Sequence, residues 1–308
     1  MILREFPDLQ WLKKQADARF SNQKAWDGSQ LDTAGWPTVI LNTQAKNTVR
    51  DNIRGPLSIF TNISGESAVT ADSKRTIIKE GFFCITNAGQ QYTLEIDSKQ
   101  PAETFNIHFG DYFAEKVWSS LSQKPENLLE NKSVTQSFEF RNRLTPLNDI
   151  TKNIIQQIRL NLNPERLFLE EGLYTLFQNL LSEEKKIQKI QQELPVLKSS
   201  TKKELVQRLL MATDYIYTFY DQKISLEELA QACCLSKFHF LRLFKIAFNK
   251  TPYQFINEVR VKRAQQLLIK SKLEVKDIAN LTGFDSAATF SRMFYNQSGL
   301  YPTQFRAC

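Results

Sequence analysis

The stretch "GFDSAATFSRMFYNQSGLYPTQFR" (residues 283–306) repeats a unit that the chain has already used in "CLSKFHFLRLFKIAFNKTPYQF" (residues 234–255). When the two are superposed with an offset of 50, serine, arginine, phenylalanine and proline residues coincide. The coincident pairs are Ser236 and Ser286, Arg242 and Arg292, Phe244 and Phe294, Pro252 and Pro302, and Phe255 and Phe305. The duplication indicates two similar structural modules in the last third of the chain.

Each copy has the pattern of a short helix, a turn and a longer helix. In the first copy Ser225 and Glu228 have the spacing of a capping box, which predicts a helix over "LEELA". In both copies an alanine, Ala230 or Ala279, stands where the two helices of a helix-turn-helix cross closely. The pattern therefore predicts helix-turn-helix units over 225–249 and 275–298, joined by a helix over 252–271.

The longer helix of each copy has one apolar face and one free face. Apolar residues at the i, i+3, i+4 spacing predict the packed face, which is formed by Phe240, Leu243, Phe244 and, in the second copy, Phe290, Met293 and Phe294. The opposite face carries Phe238, Leu241, Arg242 and Lys245 in the first copy, and Ala287, Ala288, Ser291, Arg292 and Tyr295 in the second. Arginine can bind guanine in a major groove or clamp a phosphate. Two such helices would read successive major-groove segments about one helical turn (~34 Å) apart.

Charge is distributed unevenly along the chain. Residues 1–200 contain as many acidic as basic residues, whereas residues 201–308 contain 16 basic and 9 acidic residues and so carry the whole net charge of +7. A neutral first part and a basic last part indicate that one domain binds a polyanion and the other does not. The alternatives are a solvated basic surface and a helical repeat without a ligand. Two copies are few for such a repeat.

The last third of the chain resembles the AraC/XylS family of bacterial transcription regulators. The resemblance covers about residues 203–306 and rests on "SLEELAQACCLSKFHFLRLFK", "RVKRAQQLL" and "VKDIANLTGFDSAATFSRMFYNQSGLYPTQFR". It implies two helix-turn-helix units that bind double-stranded DNA near promoters and usually activate transcription with RNA polymerase. By position, the resemblance implies DNA contacts from Lys237, Phe238, Leu241, Arg242, Ala287, Ala288, Thr289 and Arg292. In the first turn Cys234 stands where the family often has glycine, which implies backbone strain if φ is positive there.

The front of the chain is β-like up to about Gly110. Short segments rich in β-branched and aromatic residues are separated by turn formers, which predicts a sandwich or barrel. These segments are "TVILNT", "LSIFTNIS", "RTIIKEGFFCITN", "QYTLEID" and "TFNIHFG". Helical spacing follows in "DYFAEKVWSSL" and "LNDITKNIIQQIRL", with one further candidate strand at "VTQSFEF". The region is weakly similar to the cupin-like sensor domain of the same family.

A long apolar stripe follows Asn163-Pro164, which reads as a helix N-cap followed by proline. We predict that this helix forms a homodimer contact. The residues of the stripe are Leu169, Leu173, Leu176, Phe177 and Leu180. Packing on the chain's own β domain is the alternative.

The predicted organisation is an α+β chain of two domains. The segments are a cupin-like sensor domain (1–163), a dimerisation helix (164–195), a linker (196–203) and a DNA-binding domain (204–308). No apolar run approaches the roughly 20 residues that cross a bilayer. We therefore expect no membrane partner. The four cysteines form no spaced framework, so we expect a reducing, cytoplasmic setting.

Metal and enzyme chemistry have little support in the sequence. The front region has one histidine, His108, and a divalent metal needs several convergent ligands, so we expect neither metal nor cofactor. No nucleophile and base pair is visible, so no catalytic residue is predicted. One alternative is a DNA-targeted enzyme that transfers an alkyl group to Cys84, and another is an architectural DNA-binding protein without a ligand. The leading hypothesis is a transcriptional regulator whose front domain binds a small-molecule effector that the sequence does not identify.

Overall fold

The computed structural model describes residues 1–20, 37–110, 113–114, 117–118, 120, 139–161, 164–196 and 198–307. The chain divides into two compact units, Met1–Lys185 and Lys186–Cys308. Within the described residues no helix is long and apolar enough to cross a membrane. The predicted fold class is confirmed: the first unit is built on two β-sheets, and the second is helical.

The first unit contains two sheets whose strands are short and mostly antiparallel. One sheet has the order β1-β2-β9-β4-β7-β10, and the other has the order β3-β8-β5-β6. The strands are β1 (Ile2–Leu3), β2 (Val39–Ala45), β3 (Thr48–Arg54), β4 (Ser58–Ser64), β5 (Glu66–Ala71), β6 (Lys74–Lys79), β7 (Phe82–Thr86), β8 (Gln91–Ile96), β9 (Ala102–His108) and β10 (Thr145–Pro146). Only β1 and β2 pair in parallel among these strands, with Ile2 opposite Ile40.

The six-stranded sheet is buried on both faces. Because successive side chains of a strand point to opposite faces, β9 places Phe105 and Ile107 in one apolar core and Asn106 and His108 on the opposite face. That core is closed by two helices, α2 (Asp149–Leu160) and α3 (Arg166–Glu193). Burial of these apolar side chains supplies about 25 cal/mol for each Å² removed from water.

Polar contacts fix α2 on this sheet. Arg159 of α2 holds Glu103 of β9 through two hydrogen bonds, from Nε at 2.6 Å and Nη2 at 2.8 Å. The Nδ2 of Asn42 also donates to Glu103 at 2.9 Å. These donors lower the pKa of Glu103, with the Arg159 hydrogen bond as the largest cause.

Most of the predicted strands are present, and the differences have physical causes. The segment 75–87 forms two strands, β6 and β7, because the chain turns at Gly81 with φ 89°. Four strands, β1, β3, β5 and β10, and the helix α1 (Leu9–Phe20) were not predicted. β1 and β10 have only two residues each, too few to show a pattern. β3 ("TVRDNIR") is mostly polar, and Ile53 is its one buried residue. The helix predicted over 111–121, the strand over 134–140 and the cap at Asn163 lie wholly or largely outside the described residues.

The dimerisation stripe requires a correction. Leu173, Leu176, Phe177 and Leu180 are at most 4% exposed and pack into the core under the six-stranded sheet. Leu169 lies partly buried against the same core. These side chains cover the chain's own sheet, so they cannot form the exposed contact between two copies. The alternative, packing on the β domain, is what the structure shows.

The second unit consists of helices joined by short turns. They are α4 (Ser199–Phe219), α5 (Leu226–Ala232), α6 (Lys237–Phe248), α7 (Pro252–Lys270), α8 (Val275–Leu281), α9 (Ala287–Ser298) and α10 (Pro302–Ala307). The segment 196–203 is not a linker throughout, because Ser199 already begins α4. A buried apolar stripe that includes Leu205, Val206 and Leu209 packs this helix in place. The polar residues 199–203 form its first turn.

Candidate nucleic-acid interface

The two repeated units have matching aromatic cores. In the first, the rings of Phe244 and Phe255 meet edge to face with centroids 5.5 Å apart. In the second, Phe294 and Phe305 meet in the same manner at 5.3 Å. The equivalent rings of Phe240 and Phe290 are also fully buried. The offset of 50 in the sequence therefore corresponds to two repeated packing arrangements.

The turns between the short and long helices also match. Leu235 donates its N–H to Ala230 at 2.9 Å, and Phe284 donates to Ala279 at 2.9 Å. The residue before each donor has left-handed backbone, with φ 52° at Cys234 and φ 81° at Gly283. A left-handed residue after a helix, with these hydrogen bonds, is a Schellman-type ending. Cys234 thus has a conformation that costs an L residue about 1 kcal/mol or more. This strain is expected where cysteine replaces the glycine that the family often has.

A serine caps each of the longer helices. Ser236 accepts a hydrogen bond from the backbone N–H of His239 at 3.4 Å, and Ser286 accepts one from Thr289 at 3.2 Å. The short helix α5 begins with the predicted capping box, in which Ser225 and Glu228 each bond the other's backbone N–H. Caps of this kind stabilise a helix start by about 1 kcal/mol.

The outward face of α6 has the exposure that the sequence predicts. Phe238 is 80% exposed, although water solvates an aromatic ring poorly, and Leu241 is 38% exposed. Lys237, Arg242 and Lys245 are exposed on the same helix. Lys237 forms an ion pair with Glu227 of α5, which holds its ammonium group beside the start of α6.

The outward face of α9 is smaller and more polar. Ala288 and Arg292 are exposed, whereas Ala287 and Thr289 are half-buried. The hydroxyl groups of Ser286 and Thr289 lie 3.0 Å apart. Farther along the helix, the rings of Tyr295 and Tyr301 stack with centroids 4.7 Å apart. The small side chains at the start of α9 allow the backbone of this helix to approach a surface closely.

Arg260 of α7 was missed by the sequence reasoning, although it lies in the quoted segment "RVKR". Its Nε donates to the carbonyl of Tyr220 at 2.7 Å, and its Nη2 donates to the carbonyl of Gln222 at 2.7 Å. The same guanidinium lies over the ring of Phe284, 5.6 Å from the centroid. Arg260 therefore joins the end of α4, which packs in the first helix-turn-helix, to the turn of the second.

Gly283 completes this junction. A Cβ at this position would lie 2.7 Å from the carbonyl oxygen of Tyr220 and 2.9 Å from the carbonyl carbon of Asp221. Both distances are shorter than a side chain tolerates, so the close approach requires glycine as well as the positive φ. The turn before α9 is thus packed directly against the end of α4, which also packs on α5 and α6.

The features considered for other chemistry do not form a site. Cys84 is 3% exposed within β7, where an alkyl group on DNA would not reach its sulfur. His108 is buried, and its Nδ1 lies 2.8 Å from the hydroxyl of Ser58. In the described part of the chain no group of three or more histidine, cysteine, aspartate or glutamate side chains could hold a metal ion.

Comparison with known proteins identifies relatives of the second unit and, more distantly, of the rest. Residues 229–307 match the family model of a helix-turn-helix domain. The Msm operon regulatory protein of Streptococcus mutans is 29% identical over 193 residues, which are 62% of this chain and 66% of that protein. The MmsAB operon regulatory protein of Pseudomonas aeruginosa is 32% identical over 130 residues, 42% of each. The DNA-binding domain of AdpA, solved in complex with a target DNA, is 28% identical, with a TM-score of 0.32, over 32% of this chain and 90% of that domain.

Proposed function

We propose that this chain is a sequence-specific DNA-binding transcriptional regulator of the AraC/XylS family, which the match of residues 229–307 to a helix-turn-helix domain supports. The observation that carries the proposal is the pair of capped helices α6 and α9, each with a buried aromatic face and an exposed arginine, Arg242 or Arg292. The names of the relatives, which are regulators of operons, support the same function.

The outward faces would enter two major grooves. Arg242 and Arg292 are suited to bind guanine O6 and N7, with each good bidentate contact contributing about 1–3 kcal/mol of discrimination. Phe238, Leu241, Ala287 and Ala288 would contact thymine methyl groups, since they offer apolar surface. Lys237 and Lys245 would bind phosphates, and Thr289 would contact either a base or a phosphate.

The test is selection of duplexes from a random DNA pool by the full chain, followed by footprinting on the selected sequence. The expected footprint has two protected segments about one helical turn (~34 Å) apart. Binding should weaken steeply with salt, because phosphate contacts release counterions. Enrichment of no sequence, with binding that is equal on all duplexes, would contradict a sequence-specific regulator and favour an architectural DNA-binding protein.

Effects on transcription belong to the same proposal. A regulator bound beside a promoter acts by changing RNA polymerase occupancy, and activation is the direction that we propose. Transcription by purified RNA polymerase from a promoter next to the selected duplex would check this. More transcript in the presence of the chain is expected, and unchanged transcript would contradict the proposal.

A homodimer is the assembly that we propose for the full chain. The buried stripe of α3 is excluded as the dimer contact. However, three apolar side chains on α2 and α3 are exposed: Ile150 (55%) and Leu160 (64%) on α2, and Leu167 (66%) on α3. Removing these exposed apolar side chains from water would make the association of two copies favourable. Sedimentation of the full chain should show a dimer that the double change Leu160→Glu and Leu167→Glu dissociates. A monomer at tens of micromolar would contradict the assembly.

The first unit would be the sensor of an effector. A cavity between its two sheets supports this role, since effector control requires a site for a small molecule in the part of the chain that does not bind DNA.

A further inference from the structure

Two tyrosines form a stacked pair on the surface of the second helix-turn-helix unit. Tyr295 lies on α9 and Tyr301 directly precedes α10, and their ring planes are inclined by 29°. The two residues are 45% and 49% exposed. In the part of the chain that the structure describes, neither hydroxyl group has a hydrogen-bond partner. The pair is therefore an ordered aromatic surface with two hydroxyl groups available to a ligand.

The first helix-turn-helix unit has different residues at both positions. With the offset of 50, Tyr295 corresponds to Lys245 and Tyr301 corresponds to Thr251. Thr251 caps α7, because its Oγ1 accepts a hydrogen bond from the N–H of Gln254 at 3.3 Å. The hydroxyl of Tyr301 stands at the far end of its ring, which stacks on Tyr295 instead. A local pattern that is given up in this way is expected where function requires another residue.

Tyr295 continues the outward face of α9. It follows Arg292 by three residues and Ala288 by seven, so the three side chains lie on one side of the helix. A recognition helix enters the major groove with its first residues at the base edges. Tyr295 lies about 4.5 Å farther along the helix axis than Arg292, where a helix that leaves the groove passes the sugar–phosphate backbone. The pair is thus continuous with the proposed DNA interface.

The chemistry of the pair suits that backbone. Tyrosine is among the side chains that donate hydrogen bonds to phosphate oxygens and contact sugars. The stack restrains both side chains before binding, so less conformational freedom is lost when the contact forms. A phenol is uncharged, unlike the ammonium group of Lys245, and counterion release requires a cationic side chain. A contact from this pair would therefore depend little on salt.

We propose that the Tyr295–Tyr301 pair binds the sugar–phosphate backbone at the edge of the groove that α9 enters, with the hydroxyl of Tyr295 donating to a phosphate oxygen. Tyr301 holds the ring of Tyr295 in position. The inference rests on the proposed function, since it deepens the account of the same interface. The two helix-turn-helix units then hold the duplex differently, the first through the cation of Lys245 and the second through an uncharged contact.

The experiment is titration of the full chain with two duplexes at several salt concentrations. One is the selected duplex, and the other has the same base composition in scrambled order. Tyr295→Phe, which keeps the ring, should weaken binding about fivefold on both duplexes, because a backbone contact does not depend on sequence. The dependence of affinity on salt should not change, since no charge is lost. Tyr174→Phe, at a partly buried position of α3, is the control and should bind both duplexes as the wild type does.

Two further variants use the residues of the first unit. Tyr295→Lys should make the slope of log affinity against log salt steeper by about 0.9, because it adds one cation at a phosphate. Tyr301→Thr removes the stack and should weaken binding to both duplexes, again with an unchanged salt slope. Because threonine is the capping residue at the equivalent position before α7, this change should not lower the melting temperature.

Wild-type affinity in Tyr295→Phe or in Tyr301→Thr would overturn the inference. A loss confined to the selected duplex would also overturn it, because such a loss indicates a base contact. Failure of the proposed function gives a different result: the wild type would bind the two duplexes equally, while Tyr295→Phe would still weaken both by the same factor and support the backbone contact. A wild type that bound neither duplex would overturn both proposals.

Discussion

The Nε of Arg260 lies 2.7 Å from the carbonyl oxygen of Tyr220, forty residues earlier in the chain. Through this bond and a second one to Gln222, one side chain of α7 fixes the end of α4 beside the turn that holds Gly283. We expect the relative position of α6 and α9 to depend on this junction.

Replacement of Arg260 by Gln should loosen that position. On the selected duplex the wild type should lose at least tenfold in affinity when one base pair is inserted between the two protected segments. In Arg260→Gln we expect lower affinity at the natural spacing, by roughly tenfold for ~1.4 kcal/mol, and a smaller loss on insertion. Lys262→Gln, which removes an exposed ion pair with Glu258 on the same helix, is the control. Equal losses on insertion in the wild type and in Arg260→Gln would contradict the positioning role.

Replacement of Arg242 or Arg292 by Ala should weaken specific binding without unfolding the chain. Each arginine is exposed on the outward face of its helix, and loss of the proposed bidentate base contact would cost about 1–3 kcal/mol. Electrophoretic titration and thermal melting measure the two effects separately. Lys189→Ala, in an exposed ion pair of α3, controls for loss of one positive charge. Wild-type affinity in both arginine variants would place the reading face elsewhere.

Ala279→Leu should destabilise the second unit. Ala279 is fully buried in the core formed by α7, α8 and α9, and overpacking of a core costs about 1–3 kcal/mol. The melting temperature of the transition of this unit should therefore fall. Ala288→Leu, at an exposed position of α9, should leave it unchanged. An unchanged melting temperature in Ala279→Leu would argue against the close crossing of α8 and α9.

Opposite changes at the two equivalent turns should have opposite effects. Cys234→Gly relieves an L residue at φ 52° and should stabilise the unit by up to about 1 kcal/mol, since part of the gain is offset by the flexibility of glycine in the unfolded chain. Gly283→Ala should destabilise it by about 1–3 kcal/mol, because it adds strain and a contact with Tyr220. Denaturant unfolding measures both. A destabilised Cys234→Gly variant would show that the thiol contributes more than the strain costs.

His108 should make the first unit sensitive to acid. Its folded pKa of about 4 lies below the ordinary value of 6.5, so the unfolded chain binds the proton more readily between these values. Stability is therefore unaffected above about pH 6.5 and should fall as the pH is lowered towards 4, by about 3 kcal/mol if the ring alone is counted. In His108→Gln this part of the decline should disappear, whereas His239→Gln, on the exposed side of α6, should retain it. Identical acid profiles for the two variants would contradict this assignment.

The second unit was predictable because its signals are local and occur twice. Ser236 and Ser286 cap helices, Phe244 and Phe294 recur at helical spacing, and Gly283 marks a turn. Each of these residues interacts with others only a few positions away in the sequence, so the local pattern is enough to predict the helix, the turn and the second helix. The bond from Arg260 to Tyr220 could not be read in this way, since an arginine on a helix gives no indication of a carbonyl forty residues away.

The first unit was harder to predict because its contacts are distant in the sequence. The stripe of α3 has the same pattern whether it covers its own sheet or a second copy. Only the structure shows Phe177 packed against Phe109 and Phe140. Asn106 gave no signal, because a polar residue in a strand ordinarily indicates a solvent-facing position. Its buried place follows from the pairing of β9 with β2 and β4.

The two helix-turn-helix units share buried aromatic positions, whereas most positions of their outer faces differ. Phe240 and Phe290 are equivalent and equally buried, whereas exposed Phe238 corresponds to exposed Ala288. Arg260 binds main-chain oxygens, so substitutions at the residues that supply them leave its partners in place. Mutations can therefore accumulate on either reading face without altering the scaffold. Such a scaffold allows one half of a regulator to acquire a new DNA target while the other half keeps the old one.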